Sequence, residues 1–225
     1  MSNEILFFTM TLVGLAFTLF CFRNGRIWLY AYVALSIILA NIFVTKQIYL
    51  FGLSATGGNV MYGTIFLATD LLSEHYGKSV ARKAVFIGFF AAIVYLVMSQ
   101  FMLAFIPTEY DTVQDGMQSI FSFAPRIVFG SLIAYLMSQL HDVWFFHFLK
   151  EKTGGTLLWL RNNVSTWVSQ LIDSVVFTLV AFLGTFEWSV LFQIILTTYL
   201  LKILVALIDT PFIYLSYRIK AIEET

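Results

Sequence analysis

The pattern Ser138-Gln139-Leu140-His141-Asp142 returns thirty-one positions later as Ser169-Gln170-Leu171-Ile172-Asp173. Each copy lies in a long apolar stretch, and in each the Gln and the Asp are three residues apart, so that both point from one face of a helix. An Asp near the middle of a bilayer is costly unless another group pairs with it. Two of them on consecutive apolar helices therefore predict a polar site inside a helical membrane protein.

The composition indicates the same class of protein. Of the 225 residues, 60% are hydrophobic and only 12% are charged, whereas about a quarter of the residues of a soluble domain are charged. The net charge of zero indicates no nucleic-acid partner. The single cysteine, Cys21, excludes an intramolecular disulfide, and the three histidines lack the spacing of metal ligands. We therefore expect no cofactor.

The apolar segments predict an all-α bundle of about seven transmembrane helices in a single domain, 1–225. Most are near the length of about twenty residues that a bilayer requires. A loop with Gly52, Gly57 and Gly58 follows the second segment. The fifth segment is long enough to project past the core or to kink at Pro125, and Pro211 is expected to kink the seventh. The first segment reads as an uncleaved span. The predicted segments are 5–22, 27–45, 59–73, 82–106, 119–149, 163–184 and 189–217.

Basic residues predict the orientation, because cytoplasmic loops carry an excess of Lys and Arg. Ten of them fall on one side of the predicted bundle, and Lys46 alone falls on the other. We therefore expect a cytoplasmic C-terminus and an N-terminus outside. The ten are Arg23, Arg26, Lys78, Arg82, Lys83, Lys150, Lys152, Arg161, Arg218 and Lys220.

The two copies of the repeated pattern lie at matched depths if the fifth and sixth segments are antiparallel neighbours. Counted from the inner ends, Gln139 and Asp173 are each ten residues in, and Asp142 and Gln170 are each seven residues in. We expect Gln139 to face Asp173 and Asp142 to face Gln170. Such contacts can simply hold two helices together, so that an interhelical clamp and a ligand site are both open.

Other polar groups lie within or beside the apolar segments. Lys202, near the midplane, can neutralise Asp173, Asp209 or Asp142, either as a structural ion pair or beside a ligand. Arg126 can reach the outer headgroups instead of the site. Asn162 or Asn163 is a candidate N-cap. The full set of substrate-site candidates is Asn41, Asp70, Glu74, Arg126, Gln139, Asp142, Asn162, Gln170, Asp173 and Lys202.

Several of these stretches together resemble the queuosine precursor transporter family, also called the vitamin uptake transporter family. They are Ala40-Asn41-Ile42 with Lys46, the run from Thr69 to Lys83 (TDLLSEHYGKSVARK), Arg126 with both polar repeats, the run from Trp159 to Thr166 (WLRNNVST), and Lys202 with Asp209-Thr210-Pro211. The resemblance covers 27–220 and leaves 1–26 as an added N-terminal helix. It implies a multi-pass protein of the bacterial cytoplasmic membrane that imports 7-cyano-7-deazaguanine, 7-aminomethyl-7-deazaguanine or queuine for tRNA modification. The implied fold is similar to the substrate-binding components of energy-coupling-factor transporters.

The residue types suit such a ligand. A guanine-type edge offers two adjacent N–H donors and one carbonyl acceptor, which a carboxylate and an amide or a cation can match. Of the two repeated acids we expect Asp173 to bind more strongly, because it lies nearer the midplane and Lys202. A binding subunit that needs a separate ATP-driven energising module stays an alternative, and a homo-oligomer is left open. An intramembrane enzyme is disfavoured, because the sequence lacks H-E-x-x-H and G-x-S-x-G motifs.

Overall fold

Long helices make up most of the protein. The computed structural model describes residues 2–122 and 125–222. Helix α5 is short, and the other helices are long enough to form the bundle. The elements are α1 (Asn3–Arg23), α2 (Arg26–Phe43), β1 (Gln47–Leu50), β2 (Leu53–Thr56), α3 (Asn59–His75), α4 (Lys78–Ala104), α5 (Gln114–Phe121), α6 (Pro125–Lys152), α7 (Leu158–Phe182) and α8 (Trp188–Ser216).

Five helices among the described residues are each long and apolar enough to cross a membrane: α1, α2, α4, α7 and α8. A sixth span results if α5 and α6 count as one bent helix pair. The expected class, an all-α integral membrane protein, is therefore confirmed. The predicted third segment corresponds to α3, which has 17 residues and falls short of the length of an independent span.

Helix α3 is the centre of the bundle. It packs against α1, α2, α4, α6 and α8, and from Asn59 to Ser73 every residue except Tyr62 is buried. A helix that is enclosed by other helices needs no lipid-facing apolar surface. This position explains how α3 can carry Thr69 and Asp70 in its middle.

The predicted fifth segment, 119–149, corresponds to two helices that together form a bent pair, with the bend near the Pro125 kink that the sequence left open. Helix α5 ends at Phe121 and α6 begins at Pro125. Proline favours the first position of a helix, because its missing N–H would have no intrahelical partner there. The side chain of Gln100 on α4 donates to the carbonyl of Phe121 over 2.8 Å and holds the end of α5. Helix α8 continues through Pro211, and the kink expected there stays a prediction.

The loop expected between α2 and α3 is a β-hairpin. Strands β1 and β2 are antiparallel, with Leu50 opposite Leu53. The two residues of the turn, Phe51 and Gly52, both have positive φ, 53° and 76°, as a type I′ hairpin turn requires. The carboxylate of Glu4 accepts a hydrogen bond from the Phe51 N–H at 3.1 Å. This contact fastens the start of α1 to the hairpin.

Small residues let the central helices approach closely, as is common in membrane bundles. A Cβ atom on Gly63 of α3 would lie only 2.1 Å from Cγ1 of Val205 on α8. A Cβ atom on Gly14 of α1 would lie 2.7 Å from a methyl carbon of Thr64. Helix α1 thus packs on α3, as α2, α4, α6 and α8 do, and the division into a core 27–220 and an added helix stays a prediction.

Candidate functional site

Polar side chains on α3, α6 and α7 and on or just after α8, most of them buried, form three groups along the axis of the bundle. We call them the lysine cluster, the carboxylate cluster and the arginine cluster. The lysine cluster consists of Tyr62, Ser138, Asp173 and Lys202. The carboxylate cluster consists of Asp70, Asp142, Asn162, Thr166 and Asp209. The arginine cluster consists of Glu74, Lys150, Arg161 and Tyr217.

The lysine cluster is an ion pair within the bundle. Nζ of Lys202 contacts Oδ2 of Asp173, and the two residues are only 5% and 6% exposed. Oγ of Ser138 donates to the other carboxylate oxygen of Asp173 over 3.3 Å. Nζ of Lys202 also lies 5.3 Å from the ring centroid of Tyr62, within the range of a cation–π contact. Of the three partners that the sequence left open for Lys202, Asp173 is the one in contact.

The carboxylate cluster brings three acids from three helices together. Asp70 on α3, Asp142 on α6 and Asp209 on α8 are each 0% exposed. Helix α7 supplies neutral donors to two of them. Nδ2 of Asn162 donates to Asp209 over 2.9 Å, and Oγ1 of Thr166 donates to Asp70 over 3.4 Å. Asp70 and Asp142 face each other closely enough to interact electrostatically.

Many polar atoms in and beside this cluster have no hydrogen-bond partner among the described residues. Both carboxylate oxygens of Asp142 are in this state. Buried polar groups are normally paired, so that such a concentration indicates a ligand, water or a proton that belongs there. The other unpaired atoms of this region are Oδ1 of Asp70, Oδ2 of Asp209, Oδ1 of Asn162, Nε2 of Gln139 and Oε1 of Gln170.

The arginine cluster closes one end of the same helices. Arg161 is 1% exposed and donates to both oxygens of Glu74, over 3.0 and 2.8 Å. Nζ of Lys150 lies 3.1 Å from the same carboxylate, and the hydroxyl of Tyr217 donates to it. Burial, followed by the adjacent Glu74 carboxylate, raises the pKa of Tyr217 to about 12. The phenol therefore keeps its proton at neutral pH and remains a donor.

The expected pairing of the repeated pattern is wrong. Nε2 of Gln139 and both oxygens of Asp142 have no described partner, so Gln139 does not bind Asp173 and Asp142 does not bind Gln170. Instead Ser138 contacts Asp173, and His141 contacts Ser169 over 2.9 Å. Matched depth does not fix the rotation of a helix about its own axis, and rotation of α6 brings Gln139 to Thr69 on α3, over 3.2 Å.

Two candidate residues lie apart from the clusters. The side chain of Asn41 donates to the carbonyl of Ile37 in its own helix, over 2.7 Å. Arg126 donates to the carbonyls of Val180 and Leu183, over 2.6 and 2.5 Å. The last carbonyls of a helix lack intrahelical partners, so Arg126 caps the end of α7.

Sequence reasoning left several residues of the clusters out of the candidate set. Asp209 had a usable signal, because it lies seven residues after Lys202 and so on nearly the same helix face. Arg161 and Thr166 lie in a polar run at the start of α7, where nothing local distinguishes a buried side chain from a solvated one. Ser138 belongs to the repeated pattern itself, but a serine in an apolar helix more commonly bonds to its own backbone.

A bundle of apolar helices around buried, unpaired polar groups defines a multi-pass membrane protein with an internal site, an arrangement typical of solute and ion transporters. Residues 56–216 match a family model described as "Putative vitamin uptake transporter". The chain belongs to this family of membrane transporters, as the resemblance in the sequence predicted. Membership of a transporter family agrees with the expectation that the protein is not an enzyme.

Curated relatives extend over most of the chain. It is 44% identical over 195 residues to a "Probable queuosine precursor transporter" of Bacillus subtilis, which covers 86% of this chain and 85% of the relative. It is 27% identical over 187 residues to the "Queuosine precursor transporter" of Escherichia coli, with 80% of each chain covered. No solved structure matches the chain. The expected likeness to energy-coupling-factor components stays a prediction.

Proposed function

We propose that this protein imports a queuosine precursor across the bacterial cytoplasmic membrane, with 7-cyano-7-deazaguanine, 7-aminomethyl-7-deazaguanine or queuine as the substrate. The names of the relatives from Bacillus subtilis and Escherichia coli support the substrate class. In this proposal the C-terminus is cytoplasmic, as the distribution of Lys and Arg indicates. The arginine cluster then lies at the cytoplasmic end of the bundle.

The observation that carries the proposal is the unpaired state of Asp142. A guanine-type edge presents two adjacent N–H donors, and a carboxylate with two free oxygens can accept both. Asp142 is fully buried, and neither of its oxygens accepts a hydrogen bond from a described residue. Asp173 suits this role less well than its depth in the sequence suggested, because Lys202 and Ser138 already contact its two oxygens.

Amide groups near Asp142 complement the rest of a deazaguanine. Nε2 of Gln139, three residues before Asp142 on α6, is a free donor for the carbonyl oxygen of the base. Oδ1 of Asn162 and Oε1 of Gln170 are free acceptors for further N–H groups. We assign these four side chains to the substrate. Asp70 borders them, Lys202 with Asp173 closes one side, and Glu74 holds the end of α3.

The first experiment tests transport by the protein alone. Purified protein in liposomes that are loaded with unlabelled 7-cyano-7-deazaguanine should exchange it for labelled substrate from outside. Saturable exchange with this protein as the only protein in the liposomes would also show that substrate translocation needs no separate energising module. Absence of exchange with all three deazaguanines would contradict the proposed function.

The second experiment tests the site. In Asp142→Asn one acceptor oxygen becomes an NH₂ donor that meets a donor of the base, which leaves a buried group unpaired at a cost of about 1–3 kcal/mol. Affinity should then fall about five- to a hundredfold, as measured by ligand-dependent thermal shift. Asp115→Asn is the matched control, since Asp115 is exposed on α5. Equal affinities of Asp142→Asn and the wild type would remove Asp142 from the site.

A further inference from the structure

The carboxylate cluster holds more acid than its surroundings can neutralise. Asp70, Asp142 and Asp209 are each fully buried, and the described ion pairs of the bundle include none of them. The nearby cations are already paired, Arg161 with Glu74 and Lys202 with Asp173. Closely spaced carboxyl groups in a water-poor site cannot all carry a negative charge, and they share protons instead.

Several other titratable side chains on the helices around α3 have partners of their own, whereas Nε2 of His147 on α6 has none among the described residues and has Lys150, Lys78 and Glu74 as its charged neighbours. His141 on α6 contacts Ser169, and His75 on α3 contacts Ser216. The hydroxyl of Tyr32 on α2 donates to the carbonyl of Gly14, and that of Tyr135 on α6 donates to the carbonyl of Val85. The acids that interact electrostatically with Asp70 are Asp142 and Asp209.

The three acids differ in how well their neighbours can stabilise a charge. Asp142 has hydroxyl neighbours from Ser165, Thr166 and Ser169. Asp209 accepts a hydrogen bond from Asn162. Asp70 accepts only the 3.4 Å hydrogen bond from Thr166, its Oδ1 has no described partner, and it faces both other acids. Of the three, Asp70 is the side chain best placed to hold a proton while Asp142 is ionised.

We propose that Asp70 is the binding site of a coupling proton, so that the protein is a proton–substrate symporter. The inference rests on the proposed function, because it assigns Asp142 to the substrate. A proton on Asp70 removes a negative charge beside Asp142 and leaves the carboxylate of Asp142 available to the N–H donors of the substrate. Substrate and proton therefore bind together, cross together and are released together into the cytoplasm. The unpaired Oδ1 of the fully buried Asp70 supports this assignment.

The test uses purified wild-type protein in liposomes with an internal pH dye. The probe is 7-cyano-7-deazaguanine, because it is uncharged at neutral pH and releases no proton of its own after entry. We expect its addition outside to acidify the interior, and an inwardly directed pH gradient to drive accumulation of about tenfold per pH unit for one proton per substrate. If exchange occurs but neither acidification nor gradient-driven accumulation is seen, the proton inference is overturned and the proposed function is left intact. Absence of exchange would overturn the proposed function instead.

Asp70→Asn assigns the proton to its residue. An amide imitates the protonated acid and cannot release a proton, so acidification and gradient-driven accumulation should be lost while exchange remains measurable. The exposed Asp115→Asn serves again as the control and should behave like the wild type in all three measurements. Gradient-driven accumulation that persists in Asp70→Asn would show that Asp70 is not the coupling site.

Discussion

The buried ion pair between Lys202 and Asp173 predicts a large and partner-dependent change in stability. The side chains of Lys202 and Asp173 are only 5% and 8% exposed, and they contact each other directly. In Lys202→Met the carboxylate of Asp173 keeps only the hydrogen bond from Ser138, at 3.3 Å. Removing one member of a buried pair typically costs about 3–5 kcal/mol, because the remaining charge is uncompensated.

That cost converts into a measurable shift of the melting temperature. For a protein of this size, about 2–4 °C is lost per kcal/mol, so that Lys202→Met should melt about 6–20 °C below the wild type in a detergent unfolding assay. Asp173→Leu should show a similar loss, since it leaves Lys202 unpaired. In the double variant neither charge remains, and Ser138 can still donate to the carbonyl of Tyr135 over 3.2 Å.

The double variant is the decisive comparison. Replacing a whole buried pair with apolar side chains of similar volume is often neutral or stabilising, so the melting temperature should return to within a few degrees of the wild type. Lys83→Met on the exposed start of α4 is the control, with an expected change within about 0.5 kcal/mol. Additive losses in the double variant, or a single Lys202→Met that melts like the wild type, would refute the ion pair as a coupled unit.

Three further predictions concern packing, the end of the bundle and topology. Gly63→Ala should lower the free energy of unfolding by about 1–3 kcal/mol through overpacking. Adding Val205→Ala to this variant should restore part of the loss. If the losses of the two single variants simply add, the close contact between Gly63 and Val205 is contradicted. Arg161→Ala should destabilise the protein by about 3–5 kcal/mol, because Glu74 is left buried with a weaker partner. Arg161→Lys should lose less stability than Arg161→Ala. Equal losses of stability in the two variants would contradict a specific bidentate contact. Reporter fusions at the C-terminus and after Asp111 should report the cytoplasmic and the external side, and the same side for both would exclude the proposed orientation.

The apolar segments were predictable because a membrane imposes its requirement locally. The first predicted segment, 5–22, corresponds to α1 at Asn3–Arg23, and the sixth, 163–184, to α7 at Leu158–Phe182. The hairpin around Phe51 was not predicted. Its deciding feature is a backbone conformation, which residue hydrophobicity does not report.

The sequence predicted the polar groups of the site better than their partners. The acids and amides stood out because a charge in an apolar run needs an explanation. The partners of Asp173 and Gln139, however, depend on how α6 and α7 are rotated about their axes. A count of residues from the helix ends gives depth and leaves this rotation undetermined.

The class of the protein follows from the sequence, because the length and polarity of a membrane-spanning helix are requirements of a single segment. The sequence also determined which buried side chains carry charge or hydrogen-bonding groups. The pairing of Lys202 with Asp173, which leaves Asp142 unpaired in the same cluster as Asp70 and Asp209, became visible in the folded bundle. Pairing inside a bundle depends on contacts among α3, α6, α7 and α8, which are far apart along the chain and meet only when the helices pack.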